Sequence, residues 1–193
     1  DPSFKNTIGL GGNDKYSLLR FVSWNATHDR GQKGISYNDK LQLVAQLSNT
    51  QRVLISSEGN LPEALERHKV TFAPHDIHNA LYYANIFIGE GTTMAMEAAI
   101  LGTHSVYINS LQYSNVKEME KYGLLFNYHY KSNIIEEIYK LAEHKGLKDK
   151  LKTHKLKMLS EKIDLTAFLV WFIENWPISF KIMKENPDYQ YRF

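Results

Sequence analysis

The sequence contains no cysteine and no apolar run long enough to cross a membrane. Without cysteine the chain cannot form disulfides, thiolate zinc sites, iron–sulfur clusters or a cysteine nucleophile, and it suits a reducing compartment. The best apolar run, residues 167–173, falls well short of the roughly 20 residues that a spanning helix needs. No signal peptide opens the sequence, and we expect a cytoplasmic protein.

The chain also carries no large excess of positive or negative charge. The formal net charge is +2, which gives no argument for a nucleic-acid partner. The 193 residues are 43% hydrophobic, which suits one hydrophobic core and hardly two. The chain begins at Asp1 rather than Met, so we expect a piece of a longer protein whose partner half is missing.

The sequence does contain a regular alternation of short apolar strands and helices. For example, Ser36 is a predicted N-cap, followed by Leu41, Val44 and Leu47 at helical spacing. Such alternation predicts a Rossmann-like α/β fold, with a parallel sheet of about six strands and helices on both faces. The predicted strands are residues 17–22, 52–55, 70–72, 85–88, 104–108 and 124–126.

The pattern changes to helices alone after residue 132. We therefore divide the chain into a Rossmann-like domain, residues 1–160, and C-terminal helices, residues 161–193. Residues 165–176 are too apolar to lie free in water, which predicts that they pack on another domain or pair in an oligomer. The lysine-rich stretch 145–162 is typical of a solvated helix face, and contact with a membrane surface is the lesser alternative.

Residues 89–102 (GEGTTMAMEAAILG) carry the main functional signal. This segment follows a predicted strand and opens a helix, which is where parallel α/β sheets bind ligands. Gly91 lets backbone approach a ligand, and the free N–H groups and hydroxyls of Thr92 and Thr93 suit a phosphate. Glu97 lies one turn beyond Thr93 on the same helix face, where it could accept hydrogen bonds from sugar hydroxyls. The alternative is an ordinary strand-to-helix turn whose alanines only allow close packing.

Three further polar clusters follow predicted strands. Residues 23–34 include Trp24, Asn25 and His28, and His28 could act as a general acid or base, although the segment could equally be a solvated loop. Ser57 belongs to a second cluster at residues 56–59, and a helix-cap region is the alternative there. His75 and His78 share a helix face, but zinc needs three or four ligands and no second cluster is evident, so we predict no metal site.

Residues 89–102 resemble the phosphate- and ribose-binding turn in the second domain of GT-B glycosyltransferases and non-hydrolysing nucleotide-sugar 2-epimerases. In those proteins a Gly/Ser/Thr-rich turn precedes a helix that bears a glutamate, and a Leu-Gly-x-Pro step leads into the next strand. Glu97 matches the glutamate, and residues 101–103 match the step, except that His104 replaces the proline. More closely, residues 22–29, 74–79 and 88–99 are similar to a domain-of-unknown-function family of GT-B-like bacterial and archaeal proteins.

The resemblance implies that this chain is the carboxy-terminal half of a two-domain protein. It implies that the protein binds a nucleotide-diphosphate sugar, with a UDP-sugar as the first choice, and that it needs no cofactor. It places phosphates at Gly91, Thr92 and Thr93, the ribose at Glu97, and the base or a phosphate near His75. Further contacts come from the same rim of the sheet: Ser57, Asn25 and Trp24. The catalytic base is expected on the missing amino-terminal half, with His28 as the weak candidate on this chain.

Three functions are compatible with this sequence. A glycosyltransferase donor-binding domain is the leading interpretation. The alternatives are a nucleotide-sugar 2-epimerase and a non-catalytic nucleotide-sugar-binding or scaffold domain. Expected partners are the nucleotide sugar and the missing domain, with self-association through the C-terminal helix as an alternative and no nucleic acid.

Overall fold

The computed structural model describes residues 1–25, 27, 31–128, 134–144 and 146–193. In this part of the chain, five strands form one parallel sheet in the order β2-β1-β3-β4-β5. The strands are Tyr16–Phe21 (β1), Arg52–Ser57 (β2), Ile86–Gly89 (β3), His104–Ile108 (β4) and Leu125–Tyr128 (β5). Leu19 of β1 lies between Ile55 and Ile88, and all three side chains are fully buried. The predicted Rossmann-like fold is therefore confirmed, with five strands rather than six.

The predicted strand at residues 70–72 is wrong. Lys69 forms only an isolated parallel bridge with Ile55, and the Val70 N–H donates to the Ile55 carbonyl oxygen at 2.9 Å. Beyond it the chain leaves the sheet, because Phe72 packs against the ring of Phe4 and Pro74 opens a 3-10 helix.

Helices cover both faces of the sheet. One face carries Tyr37–Leu47 (α2), Glu63–Glu66 (α3) and Ile134–Glu143 (α7). The other carries Ile77–Tyr83 (α4), Thr92–Leu101 (α5), Ser114–Lys121 (α6) and Leu147–Ser160 (α8), together with Phe4 of the short N-terminal helix Phe4–Thr7 (α1). A hydrophobic core lies on each face of the sheet, and successive strand residues point alternately into the two cores. Phe87 packs on one face, and Ile86 and Ile88 pack on the other. The predicted N-cap is confirmed, since the Ser36 hydroxyl accepts from the Asp39 N–H at 3.2 Å.

The C-terminal region consists of Leu165–Glu174 (α9), Ile178–Glu185 (α10) and a 3-10 helix, Pro187–Arg192. Its aromatic side chains pack on one another: the Trp171 ring lies 4.9 Å from Tyr189 and 5.2 Å from Phe193. None of the α9 residues is buried, and large apolar side chains along both helices face solvent. No helix in the described residues is long and apolar enough to cross a membrane.

Candidate functional site

A cleft of about 410 Å³ opens at the carboxyl ends of β1, β3 and β4. The chain leaves β1 toward β2 on one side, whereas β3 leads toward β4 on the other, so the cleft lies at the point where the strand order reverses. Open parallel sheets bind ligands at such points because the flanking connections diverge and leave a crevice. The lining residues are Arg20, Val22, Ser23, Glu58, Glu90, Gly91, Thr92, Thr93, Met94, Tyr107, Asn109, Leu111 and Tyr113.

The N-terminus of α5 forms one wall of the cleft. Gly91 is the N-cap, with an extended backbone (φ −102°, ψ 141°), and no side chain caps the helix. Thr92 and Thr93 are the first two helical residues, so neither is the N-cap. Within the part of the chain that the structure describes, the N–H groups of the first turn have no side-chain acceptor, and the helix dipole favours an anion there by about 0.3–1 kcal/mol.

The alanines of α5 pack closely against the sheet, as the alternative of an ordinary strand-to-helix turn predicted. Ala95, Ala98 and Ala99 are fully buried against the sheet. Gly102 closes the helix with a left-handed backbone (φ 86°), and the Thr103 N–H donates to the Ala98 carbonyl oxygen at 2.9 Å. Close packing and an open N-terminus coexist in this helix, so the two interpretations do not exclude each other.

Arg20 brings a positive charge to the cleft. Its guanidinium donates to the Ser56 hydroxyl at 2.7 Å and forms a 2.7 Å ion pair with Glu58. The second Glu58 oxygen accepts from the Ser23 N–H at 3.3 Å. Arg20 was not predicted as a site residue, because it lies within an apolar strand and its only signal in the sequence is a charge between Leu19 and Phe21.

Glu90 is a fully buried carboxylate at the base of the cleft. It accepts hydrogen bonds from the N–H groups of Val22, at 3.1 Å, and Ile35, at 3.0 Å, and pairs with Lys40 at 3.0 Å. Burial raises the pKa of Glu90, and Lys40 and the two N–H groups oppose that rise. Because Val22 and Ile35 are the two ends of the connection between β1 and α2, this one side chain holds both ends together.

The remaining predicted site residues are not among the described residues that line the cleft. The Glu97 carboxylate is 3.9 Å from His78 Nε2, and the exposed His75 ring is 3.6 Å from Asp76. The Ser57 hydroxyl donates locally to the Gly59 carbonyl oxygen at 3.0 Å.

The segment after β1 carries the last of the predicted residues. Trp24 adopts a left-handed backbone (φ 58°) and lines a separate cavity of about 390 Å³, and Asn25 is exposed. His28 lies outside the described residues. Among those described, no three His, Asp or Glu side chains converge on a metal position.

The fold is similar to part of several solved glycosyltransferases and of a nucleotide-sugar 2-epimerase. The spinosyn rhamnosyltransferase complexed with spinosyn aglycone superposes on 84% of this chain with a TM-score of 0.55 and 14% identity. UDP-GlcNAc 2-epimerase from Neisseria meningitidis, bound to UDP-GlcNAc, superposes on 77% of it with a TM-score of 0.55 and 14% identity. The glycotransferase of kitacinnamycin superposes on 78% with a TM-score of 0.53 and 11% identity. At these identities the likeness concerns the fold alone.

The chain belongs to the family described as "Protein of unknown function (DUF354)", whose model matches residues 37–174. No curated protein matches the sequence. The chain spans 46%, 41% and 40% of the lengths of the rhamnosyltransferase, the epimerase and the glycotransferase. Such coverage accords with the resemblance to one half of a GT-B-type protein.

Proposed function

We propose that this chain is the donor-binding half of a GT-B-type glycosyltransferase and that its cleft binds a nucleotide-diphosphate sugar. One observation carries the proposal: an uncapped helix N-terminus and an arginine line the same cleft at the strand reversal. A diphosphate needs two positive or hydrogen-bond-donating partners, and these are the α5 N–H groups and Arg20. A UDP-sugar is the first choice because the epimerase of the same fold is bound to UDP-GlcNAc.

Arg20 must change partners to serve this purpose. Its ion pair with Glu58 is partly exposed, with 23% and 43% of the two side chains accessible, so the pair is worth little in water. A phosphate offers the guanidinium a bidentate acceptor of higher charge. Glu58 can then continue to accept the hydrogen bond from the Ser23 N–H while the Arg20 guanidinium binds the phosphate.

The ribose and base would lie beyond the phosphates. Glu97 is one turn further along α5 and only partly exposed, and its 3.9 Å contact with His78 is long enough to yield to a sugar hydroxyl. His75 on the neighbouring 3-10 helix would lie toward the base. Ser57, Asn25 and Trp24 complete the rim, with Ser57 free to exchange its local hydrogen bond.

The chemical contribution of this half would be electrostatic. Transfer of the sugar leaves negative charge on the diphosphate, and fixed N–H groups at a helix N-terminus stabilise that charge without reorganising. The acceptor and the catalytic base would come from the other half of the protein, and His28 is the candidate base on this chain. A GT-B cleft would then close around both substrates.

Calorimetry with UDP, GDP and their sugars on the full-length protein tests this proposal. We expect Arg20→Gln to weaken UDP binding about tenfold or more, since a charge-assisted hydrogen bond contributes about 1.5–3 kcal/mol. Arg67→Gln is the matched control, because Arg67 is exposed and lies away from the cleft lining. Glu97→Ala should weaken UDP but leave pyrophosphate unchanged, which separates the ribose contact from the phosphate contact.

No nucleotide binding at millimolar concentration would contradict donor binding. Full-affinity binding by a Glu97→Ala, Thr93→Val variant would contradict the placement of the phosphate and the ribose on α5. Turnover separates the activities. Sugar transfer that requires an acceptor supports the transferase, whereas isomerisation without acceptor, followed by NMR, would assign the cleft to an epimerase. Nucleotide-sugar binding without either reaction would support a non-catalytic binding domain.

A further inference from the structure

A second pocket, of about 480 Å³, lies at the opposite edge of the sheet from the cleft. It is formed where α4 and α5 end and α8 passes beside them. Its lining residues Tyr83 and Gly102 lie three residues before β3 and two residues before β4, so the pocket is at the amino ends of the strands. It therefore shares no residue with the cleft at the carboxyl ends.

Three lysines of α8 line this pocket. Lys148, Lys152 and Lys155 follow one another at spacings of four and three residues, which places them on one face of the helix. Asp149 is the one carboxylate among the described lining residues. Within the described ranges, none of the three lysines has an ion pair with a carboxylate.

The surroundings add positive charge. Burial lowers the pKa of Lys148, and so do the like charges of Lys5 and Lys15 at the same edge of the sheet. The carboxyl ends of α4 and α5 supply about half a negative charge each, which offsets only part of the three ammonium groups. The pocket thus sets three ammonium groups against one carboxylate, Asp149, and within the described residues none of the three forms an ion pair with it.

We propose that this pocket binds a phosphate group, held by the ammonium groups of Lys148, Lys152 and Lys155. The exposed Tyr82 ring, packed edge-on against Tyr83 at 4.9 Å, offers a flat surface beside the phosphate for the group that carries it. A phosphorylated metabolite and a phospholipid headgroup share this chemistry. The site is independent of donor binding, because the two pockets lie at opposite ends of the strands.

The test titrates inorganic pyrophosphate into the isotope-labelled full-length protein and follows the backbone amide signal of Gly102, which lines the pocket. We expect a saturable shift of that signal at millimolar ligand or below. The Lys152→Gln, Lys155→Gln pair should weaken the binding that Gly102 reports about tenfold or more. The matched control is Lys150→Gln with Lys157→Gln, which removes the same charge from exposed positions of α8 outside the pocket.

The outcomes are separable from those of the cleft, since Arg20→Gln should leave the Gly102 response unchanged. Equal weakening by the pocket pair and the control pair would overturn the proposal, because it would show attraction by general charge alone. Absence of a Gly102 response at millimolar pyrophosphate would overturn it as well. If the wild type and the control variant sediment with phosphatidylglycerol vesicles and the Lys152→Gln, Lys155→Gln variant does not, the phosphate belongs to a lipid headgroup. If the wild type does not sediment but Gly102 responds to pyrophosphate, the ligand is a soluble phosphate.

Discussion

Arg20 and Glu90 are charged residues in apolar surroundings, and each prepares the cleft in a different way. Arg20 lies within a central strand and reaches the cleft at its carboxyl end, where Glu58 and Ser56 hold it. Glu90 is buried and already satisfied by Val22, Ile35 and Lys40. We therefore expect Arg20 to respond to a ligand and Glu90 to keep the surrounding backbone in place.

His104 gives the protein a pH-dependent stability. It is 3% exposed, and neither of its ring nitrogens has a hydrogen-bond partner within the described residues. Burial, together with the charge of Lys148, lowers the pKa of His104 from 6.5 to about 4. Because the unfolded chain binds this proton more tightly than the folded one, the stabilisation is present above pH 6.5 and is lost as the pH falls toward 4.

We expect the free energy of unfolding to fall by up to about 3 kcal/mol across that pH range because of His104 alone. Urea unfolding at several pH values measures this change. His104→Leu should remove most of it, whereas His78→Gln, at an exposed position, should retain the wild-type pH dependence. Identical pH profiles for the wild type and His104→Leu would show that another group is responsible.

At the scale of elements, the connection between β1 and α2 is closed at its base by the Glu90 carboxylate. The same connection is also tied to the segment after β4, where the Ser110 hydroxyl accepts from the Lys33 N–H at 2.8 Å. Gly34 is needed at this crossing, because a Cβ there would lie 2.6 Å from a Glu90 oxygen and would collide with Trp24. Glu90, which directly precedes the N-cap of α5, thus also positions the neighbouring connection.

Glu90→Ala should destabilise the protein by about 3–5 kcal/mol, because it leaves two backbone N–H groups and Lys40 without their shared acceptor. Glu58→Ala should cost about 1 kcal/mol or less, since Glu58 is half exposed. Chemical denaturation gives both values, and hydrogen exchange should become faster at the Val22 and Ile35 amides in the Glu90 variant only. Unchanged protection of both amides would show that the loop ends are held by something else.

At the scale of the whole molecule, the C-terminal helices present an uncovered apolar face. Ile173 is 71% exposed and Leu169 46%, and Trp176 at the end of α9 is 60% exposed. An apolar face of this kind is typical of a surface that packs on another domain. We propose that the other half of the GT-B-type protein covers it, as the division at residue 160 predicted.

The 193-residue chain alone should therefore bind a hydrophobic dye such as ANS, and Leu169→Ser with Ile173→Ser should reduce that binding. The unfolding free energy should change by only about 0.5 kcal/mol, because these side chains are exposed. The control pair, Leu156→Ser with Leu159→Ser, alters exposed leucines of α8 and should leave most of the dye signal. In a longer protein that contains the other half, the double serine variant should instead weaken the association of the halves; unaltered association would contradict the packing proposal.

The alternation of strands and helices, and with it the parallel sheet, could be predicted from the amino-acid sequence, because apolar periodicity, the Ser36 cap and Gly102 act locally. The sequence also located the turn at Gly91–Thr93, since such turns are read from neighbouring residues. It could not predict that residues 70–72 leave the sheet, because Phe72 is drawn away by Phe4, which is distant in the chain.

Which charged side chains lie next to one another depends on the tertiary structure. Arg20 with Glu58, Glu90 with Lys40, and the three α8 lysines beside Tyr82 are all brought together by the crossovers of the sheet. Electrostatic partners are set by distance in space, and spacing along the chain carries no information on pairs from different elements. The same reason explains why spacing along α5 predicted Glu97, whereas its contact with His78 is set by the fold.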